Sequence, residues 1–445
     1  MNAERPIEDR IKELIVRVLE IKVDPAEILD DEKLFHGGLG LNSIATLELV
    51  AAIEETFGIR VEDEELTVAL FESVASLSNF VKAKLDIRDG AVQRKCVEGP
   101  AQEKAGSAPH GPQLGVEERT HWPGVAEALE TISPGHRRAL NFLVIHTPVK
   151  DLRDIKADLI VEHVEYSYLA RETLRWGSQI NDQFFFRYVL PYRIWAEPIE
   201  RWRKSLYDEL YPLVRRINTP IEAAMEINRW AASKAHFEDI PVTYKGPLHT
   251  MADGYGDCID LSVFFVAACR SVGIPARGVF SPWMPLGHDG THMWTEVWDK
   301  GWHYLGSCEP EKQPDRAWFS MHIKKAAKVY ALSFRKTKVR LGLRYCPDIW
   351  VEDVTGRYTT VGTLKVSVSE GLRPFPGFRL YFFVPNSKTR FVPVASAETN
   401  AEGFVKVKLG AEVEVYFVCP GDPLEKWGQF VHIDPHRTKE IHLRR

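Results

Sequence analysis

Residues 254–310 read GYGDCIDLSVFFVAACRSVGIPARGVFSPWMPLGHDGTHMWTEVWDKGWHYLGSCEP and carry the strongest structural signal in the chain. A glycine-rich turn leads into a long apolar run, which predicts a buried helix that begins near Cys258 and stops at Gly273. The residues after this helix predict β-strands, including a hairpin with a tight turn at residues 299–301. We therefore expect an α+β domain in which one buried helix packs against strands.

Two residues of this stretch form a pattern suited to nucleophilic chemistry. Cys258 falls in the first turn of the predicted helix, where the positive end of the helix dipole favours a thiolate. The amides of the same turn can hold the oxyanion that forms when a thiolate attacks a carbonyl group. His292 lies early on a following strand, and an imidazole in that place can activate the thiol. Taken singly, each residue has an ordinary structural interpretation, and Cys269 near the far end of the helix is predicted to be a core residue.

The order GYGDC, apolar helix, VGIPAR, HMWTEV and GW resembles the transglutaminase-like cysteine enzymes, which have a papain-like arrangement. The resemblance covers residues 240–310, and residues 184–198 resemble the helical extension of bacterial members. It implies that Cys258 is the nucleophile and that His292 is its base. Asp257 and Trp294 are expected beside the substrate or its oxyanion, with a core position as the alternative for Trp294.

One position departs from the pattern of these enzymes. The strand after Gly-Trp normally ends in an aspartate that orients the histidine, and this chain has Gly306 there. Without that carboxylate the imidazole loses a fixed tautomer and some stabilisation of its cation. Glu309 is expected to substitute for it from a turn, with Asp289 as a weaker alternative and no third residue as another. Glu296 is interpreted as a structural carboxylate.

The first 86 residues form a separate acidic segment. They hold 19 Asp and Glu against 9 Lys and Arg, a net charge of −10, so the rest of the chain carries about +5. The pattern predicts a compact all-α four-helix bundle, with its first helix at residues 6–21. Ser43, in GLGLNSIATLELV (residues 38–50), opens an apolar helix and can serve as an ordinary N-cap there.

This segment resembles acyl carrier proteins over its whole length, with GLGLNSIATLELVAAIEETFGI around the modification site. The resemblance implies that Ser43 carries 4′-phosphopantetheine as a covalent cofactor. Asn42 and Ile44 depart from the usual Asp and Leu, and a vestigial carrier is the alternative. The resemblance also implies an acidic docking face on the second helix, formed by Glu48, Glu54 and Glu55.

Composition shifts divide the chain into four predicted parts. These are a carrier-like domain (1–87), a flexible linker (88–120), a catalytic domain with an N-terminal helical extension (121–342) and a small all-β sandwich, immunoglobulin-like or transthyretin-like (343–445). A flexible linker of this length would span roughly 30 Å. The sandwich shows no catalytic pattern, and its Asp353, Asp422 and Asp434 are interpreted as loop residues rather than metal ligands.

Composition also limits the classes of function. A net charge of −5 gives no reason to expect nucleic acid or an anionic membrane as a partner. The N-terminus lacks the apolar region of a secretory signal, and no run approaches the length of a membrane span. Six cysteines without metal-ligand spacing predict no metal site and favour a reducing, cytoplasmic setting.

The two resemblances together imply an acyltransferase of natural-product biosynthesis, similar to the amide synthases of andrimid-type assembly lines. An acyl or aminoacyl group would pass from a phosphopantetheine thioester to Cys258 and then to a small amine, forming an amide. The implied partners are a phosphopantetheinyl transferase, a loading enzyme and further carrier proteins. The alternatives are a cysteine hydrolase (protease, amidase or thioesterase) and a scaffold whose site has decayed; a generic peptidase has no use for a fused carrier.

Overall fold

A computed structural model provides the structure of the chain, in two compact units, Met1–Pro109 and His110–Arg445. It describes residues 6–19, 23–31, 34, 49, 52–53, 56–57, 59, 70, 73–95, 123–240, 243–286, 290–335, 337, 339–340, 350–386, 390–418 and 429–444. Several residues singled out above lie outside these ranges: Asn42, Ser43, Ile44, Glu48, Glu54, Glu55, Asp289 and Asp422.

The first unit contains helices α1 (Ile7–Leu19) and α2 (Val74–Lys95). Their apolar stripes close a core with residues from the intervening chain, among them Ile11, Ile15, Leu49, Ile53, Phe57, Val74, Leu77 and Val81. The predicted first helix is confirmed. α2 continues past residue 87, into the segment predicted to be linker. The segment 88–95 contains no proline and one glycine, whose cost in a helix is about 1 kcal/mol relative to alanine.

The second unit begins with helices, as predicted for residues 121–240. They are α3 (Pro123–Thr131), α4 (Arg137–His146), α5 (Val149–Asp154), α6 (Ala157–Thr173), α7 (Trp202–Val214), α8 (Pro220–Lys234), α9 (Pro247–Asp253) and α10 (Cys258–Ser271). α10 is the predicted central helix, and every residue after its first is buried. It is buried all round because α6, α7, α8 and α9 pack around it together with strands of the main sheet. Among the described residues, no helix combines the length and apolar composition needed to cross a membrane.

The main sheet packs against α10 and has the strand order β5-β4-β3-β6-β8-β7, with all neighbours antiparallel. Its strands are β3 (Ala276–Trp283), β4 (His292–Trp298), β5 (Trp302–Leu305), β6 (Lys328–Ser333), β7 (Val339–Arg340) and β8 (Trp350–Asp353). A separate parallel pair joins β1 (His236–Phe237) and β2 (Tyr255–Gly256). The predicted hairpin is confirmed as β4 and β5, and Lys300 in its turn has a φ of 59°.

Strand β8 belongs to the main sheet although it lies in the region predicted to be sandwich. It pairs with β6, and Asp353 at its end accepts a 2.7 Å hydrogen bond from the Nζ of Lys328, which is buried on β6. Asp353 therefore ends a strand and forms an ion pair within the main sheet, so its interpretation as a loop residue was wrong. Two short helices flank the sheet, α11 (Ser320–Ile323) and α12 (Thr355–Tyr358).

The final part of the chain is the predicted β-sandwich. One sheet has the order β10-β9-β13, with β16 also paired to β9, and the other has the order β12-β11-β14-β15. The strands are β9 (Val361–Glu370), β10 (Arg373–Pro374), β11 (Arg379–Asn386), β12 (Arg390–Glu398), β13 (Phe404–Gly410), β14 (Glu414–Val418), β15 (Gln429–His432) and β16 (Thr438–Arg444). The sandwich contacts β6 of the main sheet, where the buried Tyr330 hydroxyl donates a hydrogen bond to the carbonyl of Val394 at 2.9 Å.

Candidate active site

Cys258 is the first residue of α10, and the glycines before it allow that position. Gly254 ends α9 with a φ of 78°, in the left-handed region that favours glycine. A Cβ on Gly256 would lie 2.6 Å from the Cβ of Asp260, so a larger residue does not fit without a shift of the buried helix. The chain therefore turns sharply into α10 and leaves the Cys258 side chain partly exposed.

Asp257 caps α10. Its Oδ1 accepts hydrogen bonds from the amides of Ile259 and Asp260, both at 2.8 Å, and its carbonyl accepts from the amide of Leu261. Burial raises the pKa of Asp257 to about 6, and the charge of Asp260 adds to this shift. These bonds occupy the amides of Ile259, Asp260 and Leu261 in the first turn, where the oxyanion site was predicted. The structure thus places Asp257 as a helix cap.

A chain of buried hydroxyl groups links the first turn of α10 to β4. Ser262 donates to the carbonyl of Cys258 at 2.7 Å, and its Oγ lies 2.9 Å from that of Ser307. The Ser307 Oγ lies 2.8 Å from the Thr295 Oγ1 on β4. Because each hydroxyl has one proton, Ser307 must donate to Ser262 and Thr295 must donate to Ser307. These bonds fix the Cys258 turn relative to the strand that carries His292.

His292 is the first residue of β4, where it pairs with Ser281 of β3, and it is only 8 % exposed. Aromatic rings surround its imidazole: Phe319 at 4.7 Å, Trp318 at 5.1 Å and Trp294 at 6.0 Å between centroids. Trp294 is fully buried, and its Nε1 donates to the Tyr358 hydroxyl at 3.1 Å. Trp294 therefore backs the imidazole from the core and presents no surface to solvent.

Glu309 reaches back towards Gly306. A Cβ built on Gly306 would lie 2.6 Å from the Glu309 Oε2, so this carboxylate occupies the space into which a side chain at 306 would extend. The Glu309 amide also donates to the Gly306 carbonyl. Burial raises the pKa of Glu309, while a hydrogen bond from Trp318 acts in the opposite direction. The structure thus brings a carboxylate to the position where the sequence lacks the expected aspartate.

The other two singled-out residues of this region have structural contacts. Glu296 is fully buried, with its Oε2 2.7 Å from the Nε of Arg277. The Tyr358 hydroxyl donates to the other oxygen of Glu296 at 2.5 Å. Cys269 is fully buried near the end of α10, and burial raises the pKa of its thiol. Both placements agree with the interpretation of Glu296 as a structural carboxylate and of Cys269 as a core residue.

Sequence reasoning missed Trp318 and the hydroxyl chain. Trp318 lies beyond the last recognisable motif, and isolated serines and threonines carry no spacing signal. Among the described residues, no group of three or more His, Cys, Asp or Glu side chains is arranged to hold a metal ion. The candidate site comprises a partly exposed thiol at the N-terminus of α10 and an imidazole at the start of β4, side chains suited to nucleophilic thiol chemistry.

The fold places Cys258 at the start of α10 and His292 at the start of β4, in a chain that begins with a small helical unit. Residues 211–321 match the transglutaminase-like superfamily, and residues 9–81 match the phosphopantetheine attachment site family. The first match includes Cys258, His292 and Glu309, and the second includes Ser43.

Curated acyl carrier proteins from two strains of Treponema pallidum are each 41% identical to this chain over 76 residues. The match takes in 17% of this chain and 91% of each relative. Through its N-terminal unit the chain therefore belongs to the acyl carrier protein family, and it carries a transglutaminase-like domain as well.

Two solved structures align with more than half of the chain at 10% identity. A proposed cysteine protease from Cytophaga hutchinsonii aligns over 56% of this chain and 61% of its own length, with a TM-score of 0.26. Red sea bream transglutaminase aligns over 55% and 59%, with a TM-score of 0.24. The chain thus spans about three fifths of the length of these two proteins.

Proposed function

We propose that this chain is an amide-forming acyltransferase, which takes an acyl or aminoacyl group from a phosphopantetheine thioester onto Cys258 and transfers it to an amine. The observation that carries the proposal is the presence, in one chain, of an acyl carrier unit and a thiol–imidazole site. A natural-product pathway is the setting we propose, with a phosphopantetheinyl transferase and a loading enzyme as partners.

The described part of the carrier unit fits a phosphopantetheine carrier. Leu49, Ile53 and Phe57 follow Ser43 at helical spacing and are buried in the same core as α1 and α2. The Ser43 hydroxyl is the chemical group on which a phosphodiester can form. Phosphopantetheine attached there would supply a thioester carbonyl carbon for attack and a thiol as leaving group.

Cys258 and His292 perform the first half of the proposed reaction. The Cys258 Sγ attacks the carbonyl carbon of the acyl thioester after His292 has accepted the thiol proton. The new carbon–sulfur bond forms as the old one breaks, and the imidazolium of His292 returns its proton to the departing sulfur. The acyl group is then held on Cys258 as a new thioester.

An amine completes the reaction in the second half. Its nitrogen attacks the acyl carbon, the bond to the Cys258 Sγ breaks, and His292 carries the proton from nitrogen to sulfur. The rings of Trp294 and Phe319, both without exposed surface, screen the imidazole from water on two sides. This screening favours an amine over water as the second substrate.

Glu309 supports His292 in both halves. A carboxylate beside the imidazole stabilises its cation and fixes its tautomer. The support for this role is geometric, since the Glu309 carboxylate occupies the space next to Gly306. We expect Glu309→Gln to lower the rate of transfer by about 10- to 100-fold.

The test is intact mass spectrometry of the full chain. The protein is loaded with a short acyl group, using a phosphopantetheinyl transferase and acyl coenzyme A, and is then mixed with a panel of small primary amines. Wild-type protein should lose the acyl mass and yield the amide, and Cys258→Ala should be slower by at least ~10³-fold.

Cys269→Ala is the matched control, because it removes a thiol from the same helix, and it should transfer at the wild-type rate. Acyl release from Cys258→Ala as fast as from wild type would refute the enzyme proposal. Free acid as the sole product with every amine would identify a thioesterase instead.

A further inference from the structure

We infer that Trp318 is a positioning residue, which holds the Glu309 carboxylate in place beside His292. The inference rests on the proposed function, because it concerns the same thiol–imidazole site. It assigns a role to a residue that no sequence motif marks.

Trp318 contacts both groups that it would bring together. Its Nε1 donates a hydrogen bond that both carboxylate oxygens of Glu309 share, at 3.0 Å to Oε1 and 2.9 Å to Oε2. The centroid of its ring lies 5.1 Å from that of the His292 ring, at an interplanar angle of 58°. The Trp318 side chain thus binds the Glu309 carboxylate and packs against the His292 ring.

The backbone leaves this carboxylate little freedom. The Glu309 amide donates to the Gly306 carbonyl, and the two residues form an isolated antiparallel bridge. A Cβ on Gly306 would approach the Glu309 Cβ to 3.0 Å and its Oε2 to 2.6 Å. Gly306 is therefore needed for Glu309 to lie where it does, and the Trp318 indole is the described donor that orients the carboxylate in that space.

Contacts of the neighbouring residues Phe319 and Ser320 fix the chain around Trp318. Phe319, the next residue, is fully buried and packs against Trp294 and His292. Ser320 caps the same segment by accepting from the Ala317 amide at 2.8 Å, and its Oγ lies 2.9 Å from the Tyr304 hydroxyl of β5. Trp318 is 50 % exposed, so its side chain can be replaced without opening the core.

The charge of Glu309 depends on this bond. Burial raises the pKa of the Glu309 carboxyl, the charge of Glu311 raises it further, and the Trp318 hydrogen bond lowers it. The Cys308 thiol is buried beside Glu309, and the His322 ring lies 6.2 Å from that of Trp318. Removal of the indole N–H therefore raises the pKa of Glu309, and the carboxylate becomes neutral at a higher pH.

The experiment measures alkylation of Cys258 by iodoacetamide as a function of pH, read by peptide mass spectrometry because the chain has six cysteines. This readout needs no knowledge of the acyl group or the amine. We expect Trp318→Phe to slow the alkylation of Cys258 at pH 6 by about five- to tenfold. The acidic limb of the curve of rate against pH should move to a higher pH by about 0.5 to 1 pH unit.

Double substitution shows whether Trp318 acts through Glu309. In the Glu309→Gln background, Trp318→Phe should have no further effect on the profile, because the carboxylate it holds is gone. Met321→Ala, which truncates a neighbouring side chain that is 68 % exposed, is the control for surface changes and should match wild type. Additive effects of Trp318→Phe and Glu309→Gln would overturn the inference.

The two proposals fail in different ways. If His292→Ala leaves the alkylation of Cys258 unchanged, no thiol–imidazole pair exists and the proposed function is refuted. If His292→Ala slows alkylation and Trp318→Phe does not, the pair stands and the role of Trp318 is refuted. A thermal melt of each variant identifies any loss of folding, and a folded Trp318→Phe protein with a wild-type profile is sufficient to reject the inference.

Discussion

The two ends of α10 carry the same side chain in opposite surroundings. Cys258 begins the helix, partly exposed, next to a capping carboxylate and a chain of hydroxyl groups. Cys269 lies about three turns further on, fully buried among apolar residues. Asp257 and Asp260 lie beside Cys258 in the sequence, whereas two alanines precede Cys269, so the sequence and the fold together give the two thiols different surroundings.

The C-terminal end of α10 is closed by polar groups that serve structure alone. Arg270 is buried and donates to the carbonyls of Ala276, Pro191 and Arg193 at 3.0–3.2 Å. These bonds tie α10 to the start of β3 and to the helical extension. The N-terminal end is instead held by a cap and a hydroxyl chain that leave the thiol accessible. The C-terminal end of the helix is held by buried hydrogen bonds, whereas the N-terminal end leaves a thiol partly exposed.

The first prediction tests this difference directly through thiol reactivity. Iodoacetamide should label Cys258 of the native protein at least ~10³-fold faster than Cys269, because Cys269 is inaccessible and burial raises the pKa of its thiol. Time-resolved peptide mapping measures both rates in one sample. Labelling in denaturant is the control, where the two rates should converge. Similar labelling rates for the two cysteines in the native protein would show that Cys258 is not more accessible or more reactive than Cys269.

The second prediction concerns the C-terminal end of α10. Arg270→Met should lower the free energy of unfolding by about 3 kcal/mol or more, since it removes three buried hydrogen bonds to carbonyl oxygens. Of the three carbonyls, that of Pro191 still accepts from Arg203. Urea denaturation followed by tryptophan fluorescence measures the change, because every tryptophan of the chain lies after residue 121.

Arg229→Met is the matched control for Arg270→Met. Arg229 is half-exposed on α8 and pairs with Glu226 one turn away, so its loss should cost less than about 0.5 kcal/mol. Equal costs for the two substitutions would show that burial of Arg270 adds nothing to stability.

Much of the difference between the two ends of α10 can be predicted from the sequence. A largely apolar run bounded by GYGD and by Gly273 predicts a buried helix with Cys258 at its start, and the structure confirms both ends. The β4–β5 hairpin and the sandwich are likewise confirmed, because alternation and turn residues are local signals. The structure also places Glu309, expected to reach back towards residue 306, in that space.

Contacts between distant segments could not be predicted in the same way. Trp318, Ser262 and Ser307 meet the site through the packing of α10, β4 and the chain after β5, which no local periodicity encodes. The assignment of β8 to the main sheet has the same origin, since its partner β6 precedes it by a long stretch of chain. Hydrophobic patterns predict which residues are buried, whereas specific polar contacts depend on the completed fold.

The third prediction concerns the cap of α10 and has the smallest expected effect. Burial raises the pKa of Asp257 from an ordinary 3.8 to about 6, so the folded protein binds a proton more tightly there than the unfolded chain does. Stability from this group is therefore greatest below about pH 4 and declines as the pH rises towards 6. Asp257→Asn keeps an effective cap and removes the buried charge, so it should be more stable than wild type at pH 7 by about 1–3 kcal/mol.

The pH dependence separates this explanation from a simple change in capping. The difference between Asp257→Asn and wild type should vanish near pH 4 and grow as the pH rises to 7, measured by urea denaturation at each pH. Asp253, just before the same turn, has its pKa lowered by Lys245 and is exposed, so Asp253→Asn should show the opposite sign, with a loss of stability at neutral pH that fades on acidification. If Asp257→Asn is destabilising at every pH, its carboxylate is worth more as a helix cap than it costs as a buried charge. The N-terminal end of α10 would then be optimised for stability just as the C-terminal end is.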